Sequence, residues 1–317
     1  MSFMMNEISG IHHVTAITGD AQANLDFYTH VLGMRLVKKT VNQDVPDTYH
    51  LFYADAEGNP GTDLTFFPWA DSPPVQSGIG LAMEISLAIP AASIEYWRDR
   101  LNTFGIATEP ESTRHAERTL VMHDPFGQPI ALVATSDART FAAWDRSPVP
   151  AEHQIRGLHA VRLWERDLAP TENFLVGVLG FHALGVEDGW HRYGVGDGGS
   201  GKHLDIREIP EGARGRWGVG GIHHVAWRVA DDAAQLAVRT RVETAHRRPT
   251  EVIDRFWFHS VYFLEPGGVL FEVATDGPGF AIDESAASLG ERLVLPPWLE
   301  AERAKIESEL PPLSVTP

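Results

Sequence analysis

Gly10-Ile11-His12-His13-Val14 is the stretch around which this chain is organised, because Gly221-Ile222-His223-His224-Val225 repeats it in the second half. In each copy apolar and polar residues alternate, as is typical of a β-strand. Successive side chains of a strand point to opposite faces, so we expect one histidine of each pair to face inward. Two inward histidines from two copies of one unit are the beginning of a metal site.

The pattern of strands, helices and turns around these stretches predicts four copies of one βαβββ module. This is an α+β fold with a linker between its halves and an extension at the end, in which we expect a helix over Trp298–Leu310. The predicted segments are module 1 at 8–70, module 2 at 78–136, the linker at 137–154, module 3 at 155–210, module 4 at 217–275 and the extension at 276–317.

Composition excludes several classes of protein. The net charge of −17 argues against a nucleic-acid partner or an anionic membrane, since both require a basic face. The chain has no cysteine, so its 15 histidines must carry any transition-metal chemistry. The first residues show no signal peptide and no long apolar run follows, so a cytoplasmic location is expected.

Glu272 is the residue that completes the predicted metal site. It lies in the apolar strand 269–274, where burying an unpaired carboxylate would be costly. Taken alone, Glu272 is better explained as solvent-facing, and each histidine pair as structural. Together they form the two-histidine, one-carboxylate set that leaves positions open for O₂ chemistry on non-haem Fe(II). Alignment of the last strands of modules 2 and 4 predicts Leu132 in the slot of Glu272.

Several stretches carry a family resemblance that spans nearly the whole chain. They are Gly10–Thr15, Asp26–Asn42, Pro60–Phe67, the second Gly-Ile-His-His and Leu295–Leu299. The chain resembles the vicinal oxygen chelate superfamily, which includes glyoxalases, bleomycin resistance proteins and dioxygenases. More closely, it is similar to the branch of ring-cleaving dioxygenases that act on hydroquinones. The resemblance implies βαβββ modules paired into open, glyoxalase-like barrels.

The resemblance also implies a ligand set and a substrate, namely Fe(II), with Mn(II) as the alternative, together with O₂ and a small dihydroxy-aromatic compound. It places His12, Thr15, His223, Arg255 and Tyr262 around the substrate. His12 or His223 would transfer protons, and Tyr262 and Arg255 would orient the anionic substrate. The candidate residues are His13, His224 and Glu272 for the metal, His12, His223, Tyr262 and Arg255 for catalysis, and Thr15, Arg255, Tyr262 and His259 for the substrate.

The positions of the three ligands constrain the architecture. Because they come from modules 1 and 4, these two modules are expected to share one barrel, which leaves modules 2 and 3 to form the other. Sequential pairing of the modules would separate His13 from His224. A homo-oligomer is compatible with the sequence.

Two other functions compete with the dioxygenase. A metal-dependent lyase or isomerase of the glyoxalase type needs no O₂ and usually has a fourth protein ligand, which the last strand of module 1 does not offer. A metal-free protein that sequesters an aromatic compound is the other alternative, and the intact His/His/Glu set argues against it.

Overall fold

The protein is described by a computed structural model over residues 7–315. The first six residues, part of the segment in which no signal peptide is predicted, and Thr316 and Pro317 of the predicted extension lie outside the described residues. No helix within the described range is long and apolar enough to cross a membrane.

Sixteen strands form the two sheets of the described chain. In chain order they are β1 Ile8–Thr18, β2 Arg35–Val41, β3 Tyr49–Ala54, β4 Asp63–Pro68, β5 Leu81–Pro90, β6 Ser112–Arg114, β7 Glu117–His123, β8 Pro129–Thr135, β9 Gly157–Glu165, β10 His182–Glu187, β11 Trp190–Gly194, β12 His203–Glu208, β13 Gly221–Val229, β14 Ile253–Asp254, β15 Phe258–Leu264 and β16 Leu270–Pro278.

The sheet order confirms the predicted fold class. One eight-stranded sheet runs β14-β15-β16-β13-β1-β4-β3-β2, so it combines modules 1 and 4. The other runs β10-β11-β12-β9-β5-β8-β7-β6 and combines modules 3 and 2. In each sheet two modules join through their antiparallel first strands, β1 with β13 and β5 with β9. The two ends of the chain therefore meet in one curled sheet.

The helices are short. They are α1 Ala21–Asp26, continued by a π-helical turn at Phe27–Val31, α2 Ile94–Thr103, α3 Leu168–Gly177, α4 Asp232–Thr244 and α5 Arg303–Glu309, with 3₁₀ turns at Ala91–Ser93, Phe280–Ile282, Ala286–Ser288 and Glu300–Glu302. Helices α1, α3 and α4 each begin at an aspartate whose carboxylate accepts a backbone N–H of the first turn.

The helix predicted over Trp298–Leu310 was too long. Only a 3₁₀ turn and α5 form within this range, and the Trp298 side chain is 48% exposed. Ile306 and Leu310 are buried.

The C-terminal extension wraps around the free edge of module 1. The Val294 amide donates to the Lys39 carbonyl at 3.0 Å, and the Tyr49 hydroxyl donates to the Pro311 carbonyl at 2.9 Å. Phe280, Leu289 and Val294 join an apolar cluster with residues inside the barrel, including Phe52 and Trp257. The extension thus covers edge strand β2 and fills one part of the first barrel.

The second barrel holds ion pairs where the first holds the candidate ligands. In the first sheet Thr15 of β1 pairs with His224 of β13, and in the second sheet Arg162 of β9 pairs with Glu84 of β5. Arg162 therefore corresponds to Thr15, and Glu84 corresponds to His224. Arg114 binds the Glu84 carboxylate at 2.6 Å, which supplies the partner that the sequence did not identify. A charged network fills this interior.

The prediction that Leu132 occupies the slot of Glu272 was wrong by one residue. Glu272 pairs with Ala226 in the first sheet, and the equivalent pair in the second sheet is Ala131 with Ser86. The alignment failed because the two strands differ by one residue between the turn and the shared Val-Ala-Thr sequence. Ala131 is still apolar, so the second barrel lacks this carboxylate.

Candidate metal centre

Strand register brings the three candidate ligands to one place. His13 of β1 lies opposite Ala226 of β13, and Ala226 in turn pairs with Glu272 of β16. Directly paired residues point to the same face of a sheet. The small Ala226 side chain leaves room between His13 and Glu272, while His224 points inward two residues earlier on β13.

The ligand atoms converge closely. His13 Nε2 lies 3.2 Å from His224 Nε2 and 3.3 Å from Glu272 Oε2, and His224 Nε2 lies 3.0 Å from the same oxygen. All three side chains are buried, and they are the single group of this kind within residues 7–315. Modules 1 and 4 therefore meet at this point, as the sequence required for a shared site.

The geometry fits a metal ion. Ligands about 2.1 Å from a metal and roughly at right angles are about 3.0 Å apart, close to the separations seen here. Ser260 Oγ donates to Glu272 Oε1 at 2.5 Å, whereas Glu272 Oε2 is buried without a hydrogen-bond partner. A buried carboxylate oxygen aimed at two imidazoles is accounted for by a cation between them.

Electrostatics favour a charged Glu272. Burial alone would raise the pKa of its carboxyl, but the neighbouring His13 and His224 outweigh burial and lower that pKa well below its ordinary value. Burial also lowers the pKa of His224, so the neutral, metal-binding form of its ring is favoured. The set thus offers one negative charge and imidazole nitrogens.

The first histidine of each pair lies behind the second. His12 Nδ1 is 2.9 Å from His13 Nδ1, and His12 Nε2 is 3.1 Å from the Thr275 carbonyl. If His12 donates to Thr275, its Nδ1 accepts the Nδ1 proton of His13 and leaves His13 Nε2 free for a metal. Burial, followed by the neighbouring His13, lowers the pKa of His12 to about 3. His12 therefore does not reach the substrate side that the resemblance implied.

His223 repeats this arrangement nearer the surface. Its Nδ1 is 2.8 Å from His224 Nδ1, and its ring stacks on the partly exposed Trp217 with a centroid distance of 4.7 Å. Trp69 packs edge-on against the same ring at 5.6 Å. Burial, followed by His224, lowers the pKa of His223 to about 3. His223 thus also orients a ligand.

A cavity opens beside the ligand set. Its lining residues are His13, Asn42, Gln43, Asp44, His50, Phe52, Phe67, His224, Arg255, Trp257, Phe258 and Tyr262. Flat apolar rings form much of this wall, with polar groups at a few positions, as in small-molecule sites. Flat rings of this kind offer stacking surfaces to a planar aromatic molecule.

Arg255 and Tyr262 both line this cavity. Tyr262 pairs with Glu272 across β15 and β16, and its ring lies 5.6 Å from that of His224. The Arg255 guanidinium sits 5.7 Å from the Tyr262 ring and binds the Asp44 carboxylate at 2.9 Å. Burial and the nearby Glu272 raise the pKa of Tyr262, so this phenol stays protonated. Burial lowers the pKa of Arg255, but the Asp44 carboxylate raises it, and Arg255 stays charged.

Of the two remaining predicted residues, Thr15 is connected to the cavity and His259 lies outside it. Thr15 is buried and reaches the cavity indirectly, since its hydroxyl lies 2.7 Å from the Thr65 hydroxyl, which bonds the cavity residue His50 at 2.9 Å. His259 is absent from the cavity lining. It points to the opposite face of β15 from Tyr262, where its Nδ1 contacts Asp232 at 2.6 Å, because strand neighbours alternate.

His50 is a cavity residue that the sequence did not single out. Its ring packs against Phe52 at 4.0 Å and Phe67 at 4.3 Å between centroids. The sequence signal that could have identified His50 is its position two residues before Phe52 on β3, because residues two apart on a strand share a face.

Comparison with known proteins agrees with this site. The family model for the Glyoxalase/Bleomycin resistance protein/Dioxygenase superfamily matches residues 10–132 and 157–273, and the chain belongs to this superfamily.

One relative is a Bacillus subtilis protein named "Putative ring-cleaving dioxygenase MhqA". Its sequence is 38% identical to this chain, and the alignment covers 97% of this chain and 99% of the relative's length. The chlorohydroquinone/hydroquinone 1,2-dioxygenase of Sphingobium indicum is 30% identical over 96% of this chain and 97% of its own.

Solved structures show the same fold. A Bacillus subtilis crystal structure, described as a putative dioxygenase, superimposes with a TM-score of 0.91 at 37% identity over 98% of this chain and 99% of that one. Glyoxalase I from Zea mays superimposes with a TM-score of 0.64 at 16% identity, covering 84% of this chain and 92% of that one, and supports the fold alone. Over nearly its whole length the chain is thus similar to proteins of this superfamily that are named as ring-cleaving dioxygenases.

Proposed function

We propose that this protein is an Fe(II)-dependent dioxygenase that opens the ring of hydroquinone or a related dihydroxy-aromatic compound. The observation that carries the proposal is the convergence of His13, His224 and Glu272 at a cavity walled by aromatic rings. The hydroquinone dioxygenase named among the relatives supports the choice of substrate. One carbon–carbon bond of the ring is broken, both atoms of O₂ enter the product, and no further reductant is needed.

The chain supplies binding, orientation and electrostatics. His13, His224 and Glu272 would hold Fe(II), which when bound supplies the Lewis acidity and one-electron chemistry that O₂ requires, and Mn(II) is the alternative ion. The aromatic walls hold the substrate ring in one plane. The guanidinium of Arg255, beside Tyr262, stabilises a substrate oxygen as it loses its proton.

Thr65 supports a dioxygenase over a glyoxalase-type lyase. In the repeat, Thr15 corresponds to Ala226, and the strand partners of these two residues are Thr65 and Glu272. Thr65 is therefore the module 1 equivalent of Glu272. It occupies the position from which a carboxylate of module 1 would act as a fourth ligand. A hydroxyl engaged with Thr15 and His50 leaves three protein ligands and open positions for substrate and O₂.

A metal-free binding protein is the second alternative, since the aromatic cavity would suit it. The unsatisfied Glu272 Oε2 argues against this function. A protein that only binds apolar rings gains nothing from a buried carboxylate between two imidazoles.

The test begins with anaerobic purification, metal analysis and an oxygen electrode with hydroquinone and catechol. We expect about one iron per chain and one O₂ consumed per ring opened. Glu272→Ala should lower iron content and oxygen uptake at least ~100-fold, because the only charged ligand is removed. Exposed Glu109→Ala is the matched control and should behave as wild type. A fully active Glu272→Ala protein would refute the proposal.

A further inference from the structure

His50 is held rigidly inside the cavity. Phe52 and Phe67 pack against its ring, with centroids at 4.0 and 4.3 Å, and its Nε2 lies 2.9 Å from Thr65 Oγ1. Thr65 is fixed in turn by Thr15 at 2.7 Å. An imidazole clamped on two sides and hydrogen-bonded at one nitrogen has its other nitrogen aimed in a fixed direction.

That other nitrogen has no protein partner. His50 Nδ1 makes no hydrogen bond to any described residue, although the side chain lines the cavity. Burial, followed by the nearby His13 and His224, keeps the pKa of His50 well below its ordinary value, so the ring is neutral. A neutral imidazole presents a donor or an acceptor at Nδ1 according to which proton Nε2 carries. The Thr65 hydroxyl can serve either tautomer, because it both donates and accepts.

Several other polar groups of the wall are partly engaged by neighbouring residues. The Arg255 guanidinium makes two bonds to Asp44, at 2.9 and 3.2 Å. Gln43 Nε2 donates to the Arg255 carbonyl at 2.9 Å, and Asn42 Oδ1 accepts the Asp44 amide at 2.9 Å. Tyr262 lies beside Glu272, on the metal side of the cavity. The other two histidines of the lining, His13 and His224, are candidate metal ligands, so His50 is the lining histidine with a ring nitrogen available to a bound molecule.

We propose that His50 binds the second hydroxyl of a para-dihydroxy aromatic substrate, and so selects hydroquinones over compounds with adjacent hydroxyls. The two hydroxyls of a hydroquinone lie at opposite ends of the ring, so only one can reach the ligand set. The other needs a hydrogen-bond partner at a distance, because leaving it unpaired in an apolar cavity is costly. In catechol both hydroxyls can lie at the metal, and His50 is not required. This inference rests on the proposed function, since it takes the same cavity as the substrate site.

The experiment measures binding without turnover. Iron-loaded protein under strict exclusion of O₂ is titrated with hydroquinone, catechol and phenol by calorimetry. His50→Phe keeps a flat ring but removes both nitrogens, and we expect its hydroquinone affinity to fall about tenfold, as for one lost hydrogen bond. Its affinity for catechol and phenol should change less than about twofold. Thr65→Val, which leaves the shape but frees the His50 ring, should give a smaller loss in the same direction.

The controls separate this proposal from the function itself. His30→Phe changes an exposed histidine outside the cavity and should leave all three affinities unchanged. Equal losses for the three compounds in His50→Phe, or no loss for hydroquinone, would overturn the role of His50. Wild-type protein that binds the compounds but consumes no O₂ would refute the dioxygenase proposal while leaving the selectivity of His50 measurable.

Discussion

At the scale of single residues, the two histidines of each pair do different work. His13 and His224 present Nε2 to Glu272, whereas His12 and His223 meet them from behind through Nδ1. The outer histidine fixes which nitrogen of the inner one carries the proton. In each pair of adjacent histidines, the first thus supports the second, which is the candidate ligand.

His12→Phe tests this supporting role. The substitution keeps ring volume but removes the acceptor for His13, so Fe(II) affinity should fall about 10–100-fold while the fold is retained. Anaerobic calorimetric titration with Fe(II) measures the change, and circular dichroism checks the fold. His30→Phe, at an exposed position, is the control. Unchanged iron affinity in His12→Phe would show that His13 needs no such partner.

At the scale of elements, irregular pairing explains what simple alternation missed. The pairing of β1 with β13 shifts between Ile11 and His13, which skips His12, and again where His223 is skipped. A bulged residue lies outside the ladder and can turn its side chain toward its neighbour. Alternation predicted one inward histidine per pair, but the bulges allow the other to contact it.

The C-terminal extension is a second element whose role depends on contacts across the chain. Lys38, fully buried in β2, binds Asp283 at 2.8 Å and Glu284 at 2.5 Å. Asp283 also accepts the indole N–H of Trp257 at 3.1 Å. Because Trp257 lines the cavity, the extension fixes one of the cavity walls.

Glu284→Ala should lower the free energy of unfolding by about 3 kcal/mol, since it removes one of two carboxylates from a buried ammonium group. Urea denaturation at neutral pH measures the loss. Glu291→Ala breaks the exposed pair with Arg146 and should cost less than about 1 kcal/mol. Equal effects of the two substitutions would contradict a buried, cooperative network around Lys38.

At the scale of the whole molecule, the candidate metal site joins the two ends of the chain. Module 1 supplies one ligand and module 4 supplies two, so a bound ion connects strands that are distant in sequence. Binding to the folded state alone stabilises it, by about 4 kcal/mol when free metal is a thousandfold above the dissociation constant.

Removal of metal by a chelator should therefore lower the melting temperature by several degrees, and Fe(II) added anaerobically should restore it. Differential scanning calorimetry follows both steps. His13→Ala should melt at one temperature with or without metal, because the connection between the modules is lost. An equal melting temperature of the wild-type protein with and without metal would argue against binding at this site.

Sequence patterns alone predict the modular fold, the pairing of modules 1 and 4, and the three residues that converge. Repetition, strand periodicity and a carboxylate in an apolar strand can all be recognised in the sequence alone. Other features emerge only in the folded chain, namely the orientation of His12 and His223, the position of His259 outside the cavity, the place of His50 and the slot filled by Ala131. These depend on bulges and strand register, and a shift of one residue moves a side chain to the other face of the sheet.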